Sequence, residues 1–156
     1  FIEPTQKIRK LGIKLKHNPN KELIKGKKVV LVDDSIVRGT TAIKIIEMIK
    51  EAKASEIHMK ISSPPIMYPD YYGIDTPRKE ELIASQSSIE DIRKKLDLDS
   101  LQFLSIKGLY NAMGHENRNN ETPQYTDHCF TGDYPTELVD RDSGNLSSQL
   151  SLLSDN

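Results

Sequence analysis

The residues best suited to chemistry lie between Val29 and Thr41, which read Val-Val-Leu-Val-Asp-Asp-Ser-Ile-Val-Arg-Gly-Thr-Thr. An aliphatic run ends in two adjacent carboxylates, Asp33 and Asp34, and a short polar loop follows before a helical pattern begins. In open α/β sheets the carboxyl ends of strands are where ligands bind. The start of the next helix offers unpaired N–H groups and the positive end of its dipole, a seat for an anion. Ser35, Thr40 and Thr41 add hydroxyl donors, and Gly39 lets the backbone approach a phosphate with no Cβ in the way. Paired carboxylates beside a phosphate seat suit a ligand carrying phosphate and sugar hydroxyls together with Mg²⁺, which favours oxygen donors. No Gly-x-x-x-x-Gly-Lys-Ser/Thr occurs, so this is not a Walker A loop. Each residue taken singly could be a turn or cap residue; their grouping at the end of one aliphatic strand argues for binding.

The elements that must position these groups follow from periodicity. Val29–Val32 is wholly aliphatic and mostly β-branched, which predicts a strand buried on both faces of a parallel sheet. Ala42, Ile45, Ile46, Ile49 and Ala52 recur at helical spacing through 42–53. Ile57, Met59 and Ile61 alternate with polar residues, a strand that stops at Ser62-Ser63-Pro64-Pro65. Residues 64–75 read as loop, and Thr76-Pro77 reads as the start of a helix with Leu82 and Ile83 on its apolar face. Ser88 and Asp91 form a capping-box pattern ahead of Ile89, Ile92 and Leu96. Leu101 and Phe103 suggest a short strand, and Ile106, Leu109, Tyr110 and Met113 a helix ended by Gly114. Strands alternating with helices predict an α/β architecture with a parallel sheet. A phosphoacceptor receiver domain would need another Asp at the end of a later strand, where Ser62-Ser63-Pro64-Pro65 stands instead.

Composition narrows the function classes. The 156 residues carry a net charge of −1, so the chain has no overall basic footprint for nucleic acid or an anionic membrane. No apolar run approaches the ~20 residues that span a bilayer. The near-neutral total hides an asymmetry. Residues 1–28 hold nine basic side chains against Glu3 and Glu22, whereas residues 114–156 hold Arg118 and Arg141 against eight acidic ones. A basic start can attract a polyanion. The first 28 residues, punctuated by Pro4, Gly12, Pro19 and Gly26, read as a mostly irregular, mobile segment, and the Ser-, Asp- and Asn-rich end reads as a disordered tail. The single Cys129 fits a reducing cytoplasm and, although His128 adjoins it, reads as a plain thiol. The start at Phe1, without an initiator methionine, reads as a piece of something longer.

Val30–Thr41 resembles the signature of type I phosphoribosyltransferases, which bind 5-phosphoribosyl-1-pyrophosphate (PRPP), and is similar in particular to the amidophosphoribosyltransferases. The same resemblance runs through Phe1-Ile2-Glu3-Pro4 with Gly12-Ile13-Lys14-Leu15-Lys16-His17-Asn18-Pro19, and through Ile61–Pro65, Tyr72–Asp75 and Glu81–Ala84. It returns at Phe130-Thr131-Gly132 and Tyr134-Pro135-Thr136. It implies a partial type I phosphoribosyltransferase fold, mostly parallel sheet with flanking helices. Together with the composition, it divides the chain into a basic flexible loop at 1–28, the partial domain at 29–113, an extension at 114–139 and, beyond the resemblance, a tail at 140–156.

The resemblance further implies that Asp33 and Asp34 hold Mg²⁺ and the ribose hydroxyls, and that the loop with Ser35, Arg38, Gly39, Thr40 and Thr41 holds the 5-phosphate. Lys16, within the basic segment that closes over PRPP, is the implied catalytic residue. Ammonia derived from glutamine, supplied by an N-terminal glutaminase domain to which nothing here corresponds, would yield 5-phosphoribosylamine in purine synthesis. The implied protein is cytoplasmic, free of nucleic-acid and membrane partners, and a homo-oligomer when intact. Some members hold an iron–sulfur cluster by cysteines; here Asp70 and Thr126 stand at two such places and only Cys129 remains, so no cluster is expected.

Overall fold

A computed structural model describes residues 18–138. Lys16 and the rest of residues 1–17, together with the tail expected at 140–156, lie outside the described residues. In chain order the elements are helix α1 (Lys21–Ile24), strand β1 (Lys28–Asp33), α2 (Thr40–Glu51), β2 (Glu56–Ile61), a 3₁₀ turn (Lys79–Glu81), α3 (Ile83–Gln86), α4 (Ile89–Leu96), β3 (Ser100–Phe103), α5 (Ile106–Ala112) and α6 (His128–Thr131). The strands form one parallel sheet in the order β1-β2-β3.

The pleat sorts the side chains by face. The register pairs Val29, Leu31 and Asp33 with Ile57, Met59 and Ile61, and these last two with Leu101 and Phe103. This apolar face meets Ala42, Ile46 and Ile49 of α2 and Ile92 and Leu96 of α4 in the core. Met59, at the centre of the middle strand, is wholly buried. Its truncation to Ala would cost about 2–5 kcal/mol.

The other face corrects one expectation. Val30 and Val32 are 58% and 67% exposed, so β1 is buried on one face only. Their lateral neighbours are His58 and Lys60, then Ser100 and Gln102, all polar. A run of four aliphatic residues looks doubly buried, but strand alternation still sends every second one outward, and no described element covers that side.

The helix expected from Thr76-Pro77 does not form there. Thr76 Oγ1 instead accepts a hydrogen bond from Asp70 N at 2.6 Å, closing the preceding loop upon itself. Helical turns begin only at Lys79 and are interrupted at Leu82, which is extended and wholly buried between the 3₁₀ turn and α3. Within the stretch read as irregular, α1 forms a single turn with Asn20 Oδ1 accepting from Leu23 N, and Lys28 already belongs to β1. The Ser88 cap forms as expected, its Oγ accepting from Asp91 N at 3.1 Å and donating to Asp91 Oδ2 at 2.6 Å. Gly114, just past α5, takes φ +87, the left-handed backbone that ends helices.

Candidate substrate-binding site

At the carboxyl edge of the sheet, β1 ends on Asp33, whose carbonyl accepts from both the N–H and the Oγ of Ser62 at the end of β2. The loop then curls through hydrogen bonds between neighbours. Asp33 Oδ1 accepts from Asp34 N at 3.0 Å, and Asp34 Oδ1 accepts from Ser35 N at 2.7 Å and Ser35 Oγ at 3.3 Å. Asp34 stays exposed while Ile36 turns inward and anchors the loop in the core. Asp34 therefore faces outward on a backbone pinned from below, while Asp33 is partly buried in register with Ile61.

Gly39 sets the geometry of the helix start. It occupies the N-cap of α2 at φ +77, where other residues are strained, and a Cβ there would lie 3.1 Å from Ile83 Cδ1. Gly39 has no side chain to cap α2, and among the described residues no side-chain cap bond is made there, which leaves the helix start suited to an anion beside the hydroxyls of Thr40 and Thr41. Val37 O accepts from Ile83 N at 2.9 Å, tying the loop to α3.

Arg38 is held differently from its neighbours. Its Nε donates to Glu81 Oε2 at 2.9 Å, both side chains being about half exposed. The structure thus brings Asp33, Asp34, Ser35, Gly39, Thr40 and Thr41 together on one edge and directs the Arg38 guanidinium across to the 3₁₀ turn. Glu81 had no reading in the sequence beyond its place in a similar motif; its partner is 43 residues away, so no local pattern could reveal it.

A second polar group lies between the 64–76 loop and the extension. Asp70 Oδ1 accepts from Tyr72 N and Ile74 N at 2.8 and 2.9 Å, while Oδ2 meets His128 Nε2 at 2.7 Å. Burial alone would raise the Asp70 carboxyl, but these backbone N–H groups and His128 outweigh it and hold the pKa below its ordinary value. Asp127 is buried and accepts from Arg118, Tyr110 Oη and Thr131 Oγ1, and Arg118 also reaches Asp133 at 2.5 Å. Desolvation pushes the Asp127 carboxyl up, and the hydrogen bonds from Arg118, Tyr110 and Thr131 bring it below the usual range. Those two carboxylates pull the Arg118 guanidinium pKa upward against the opposing effect of burial. The Tyr110 hydroxyl is raised by burial and by its bond to Asp127. The sequence reading missed this network; the only local signal was charge placed among residues of falling apolar content.

No helix among the described residues is long and apolar enough to cross a membrane. The phosphoribosyl transferase domain family matches residues 4–62, a stretch that includes Asp33–Thr41. The amidophosphoribosyltransferase of Rhizobium etli is 56% identical over 157 residues, an alignment covering all of this chain and 32% of that relative. The amidophosphoribosyltransferase of Bacillus subtilis is 49% identical, with 88% of this chain and 29% of the relative covered. A solved structure of the B. subtilis glutamine PRPP amidotransferase, complexed with ADP and GMP, superposes with a TM-score of 0.74 at 48% identity. That superposition covers 90% of this chain and 31% of the other. The chain thus spans about a third of the length of the curated relatives it matches. With a parallel sheet, a strand–loop–helix edge and 56% identity over all of its length to one of these enzymes, the chain is similar to about a third of an amidophosphoribosyltransferase and carries a match to the phosphoribosyl transferase domain family.

Proposed function

We propose that this chain is the PRPP-binding part of an amidophosphoribosyltransferase, which forms 5-phosphoribosylamine from PRPP and glutamine-derived ammonia at the first committed step of purine synthesis. The observation that carries this reading is the Asp33–Asp34 pair at the end of β1, followed by a loop that opens on an uncapped helix start at Gly39. The 5-phosphate sits against the first N–H groups of α2 and the hydroxyls of Ser35, Thr40 and Thr41. Asp33 and Asp34 accept hydrogen bonds from the ribose 2- and 3-hydroxyls. Arg38, paired with Glu81, braces the loop in that shape. The carboxylates of Asp33 and Asp34 are hard oxygen donors and fit Mg²⁺. Bound there, Mg²⁺ supplies positive charge that offsets the phosphate oxygens.

In the reaction, ammonia attacks C1 of the ribose with inversion while the C1–O bond to pyrophosphate breaks. The chain's own contribution is positioning, since a ribose fixed by Asp33 and Asp34 and a phosphate fixed by the loop hold C1 in line with its nucleophile. Lys16 and the basic segment around Lys7 to Asn18 close over PRPP, offset the charge growing on pyrophosphate and exclude water that would hydrolyse the substrate. The ammonia comes from a glutaminase domain of the longer, cytoplasmic and oligomeric protein. In segments, 29–113 make the partial domain and 114–139 the extension, while the loop expected at 1–28 yields Lys21–Ile24 to α1 and Lys28 to β1. One cysteine cannot hold a four-iron cluster, so the extension works without one.

The test is Asp33→Asn and Asp34→Asn in the full-length protein, assayed for PRPP-dependent turnover with ammonia supplied directly. Each should lower kcat/KM for PRPP by about 10²–10³-fold while glutamine hydrolysis persists. Near-normal kinetics in both variants would refute the assignment.

A further inference from the structure

Ser62 stands at the carboxyl end of β2 and has no role in the reaction as described above. The register ends with Asp33 opposite Ile61, so Ser62 is the first residue past the ladder. Its N–H donates to the Asp33 carbonyl at 2.9 Å, as the next rung of a parallel pair would, and its Oγ donates to the same oxygen at 3.0 Å. The sheet does not demand that second bond. Ser62 is itself held on both sides. Before it, the carbonyl of Ile61 accepts from Leu104 N at 2.9 Å, just past β3. After it, Pro64 is fully buried, and a proline there keeps Ser63 out of helical backbone.

What the hydroxyl fixes is the peptide that joins the two carboxylates. That peptide, between Asp33 and Asp34, is planar, so holding its carbonyl also holds its N–H. The N–H donates to Asp33 Oδ1 at 3.0 Å, and Asp34 Oδ1 in turn accepts from Ser35 N at 2.7 Å. One plane thus sets the direction in which both carboxylates leave the backbone. With two donors on it, the Asp33 carbonyl has both lone pairs engaged and is kept from turning toward a cation or a ribose hydroxyl. Ser62 is exposed, so water can replace its hydroxyl bond and the bond adds little to stability. Its effect is on direction, where a site tolerates little error: a misplacement of about 1 Å can cost on the order of 10²-fold in rate.

We propose that Ser62 is a positioning residue for the Asp33–Asp34 pair, its hydroxyl holding the peptide between them so that the carboxylates meet Mg²⁺ and the ribose of PRPP. This role rests on the PRPP reading above and adds to it a residue from another strand, 29 positions along the chain. Ser62 acts through the Asp33 carbonyl rather than on the substrate. The far end of the loop has its own anchors, Ile83 N on Val37 O and Glu81 on Arg38. Ser62 therefore governs the half of the loop that takes the ribose and the cation, and the half that takes the 5-phosphate is held separately.

Ser62→Ala, Ser62→Thr and Asp34→Asn are made in the full-length protein and titrated calorimetrically with PRPP and Mg²⁺, without ammonia or glutamine. Ser62→Ala should weaken PRPP binding about tenfold and raise the Mg²⁺ concentration that gives half-maximal binding, with the thermal unfolding midpoint unchanged. With ammonia supplied directly, KM for PRPP should rise by a similar factor while kcat stays within about twofold. Ser62→Thr keeps the hydroxyl and should restore both. Normal binding and Mg²⁺ dependence in Ser62→Ala, a loss confined to the unfolding midpoint, or a loss that Ser62→Thr does not restore would overturn the proposal. Asp34→Asn separates the two claims. If it binds PRPP poorly while Ser62→Ala binds normally, the PRPP site stands and only the role of Ser62 falls; if both bind normally, the site is refuted and the role of Ser62 with it.

Discussion

The loop from Asp33 to Thr41 and the cluster around Asp70, Asp127 and His128 use similar residues for opposite ends. In the loop, side-chain hydrogen bonds of the carboxylates run to the next residue, and Asp34 is exposed. In the cluster, each carboxylate is buried and draws partners from beyond its immediate neighbours, Asp70 from His128 as well as the nearby Tyr72 and Ile74 N–H groups, and Asp127 from Arg118 and Tyr110. The difference teaches what burial demands. A group meant for a ligand can remain in water and be satisfied by its neighbours. A buried charge must find every partner within the fold, because an unpaired one costs several kcal/mol.

Breaking the cluster should therefore have the largest effect on stability. Asp127→Ala in the full-length protein leaves Tyr110 Oη buried without its acceptor and Arg118 with only Asp133 and Asn120. We expect a loss of about 3 kcal/mol, read by urea unfolding, with KM for PRPP unchanged in the folded fraction. A loss below about 1 kcal/mol would show that the cluster is not held by charge pairing. Next comes Gly132→Ala. At φ +77 its new Cβ would lie 2.8 Å from the Tyr68 ring, and a cost of about 1–3 kcal/mol follows without effect on PRPP.

The equivalent change in the loop sharpens the contrast. Gly39→Ala meets Ile83 Cδ1 at 3.1 Å, a flexible methyl that can yield, so the stability cost is smaller, about 1–2 kcal/mol. Its main effect should be on KM for PRPP, raised about tenfold or more in steady-state assays as the helix start is displaced. Equal KM effects from Gly39→Ala and Gly132→Ala would erase the distinction between the two regions. The smallest effect belongs to Glu81→Gln. An exposed ion pair is worth about 0–1 kcal/mol, so thermal unfolding should barely move. A modest rise in KM for PRPP would show that Arg38 braces the loop through Glu81.

Much of the fold was legible because its signals are local. The aliphatic run at 29–32, the helical spacing of Ala42, Ile46 and Ile49, and the Ser88–Asp91 cap each name an element from residues a few positions apart. The helix expected from Thr76 failed because its hydroxyl had a competing use, accepting from Asp70 N six residues back. The outward face of β1 was misread because an aliphatic run reports strand propensity, whereas exposure depends on which layers cover the sheet.

By itself, the sequence determined the strand–loop–helix order that puts Asp33, Asp34, Ser35, Gly39, Thr40 and Thr41 on one edge, since short-range geometry dictates it. Tertiary structure alone decided that Arg38 reaches Glu81, and that Asp70, inconspicuous in a Pro- and Tyr-rich loop, meets His128 beside Cys129. Those contacts span 43 and 58 residues and exist only because the packed sheet and helices bring the two segments together. No periodicity or spacing encodes a distance that the folded core sets.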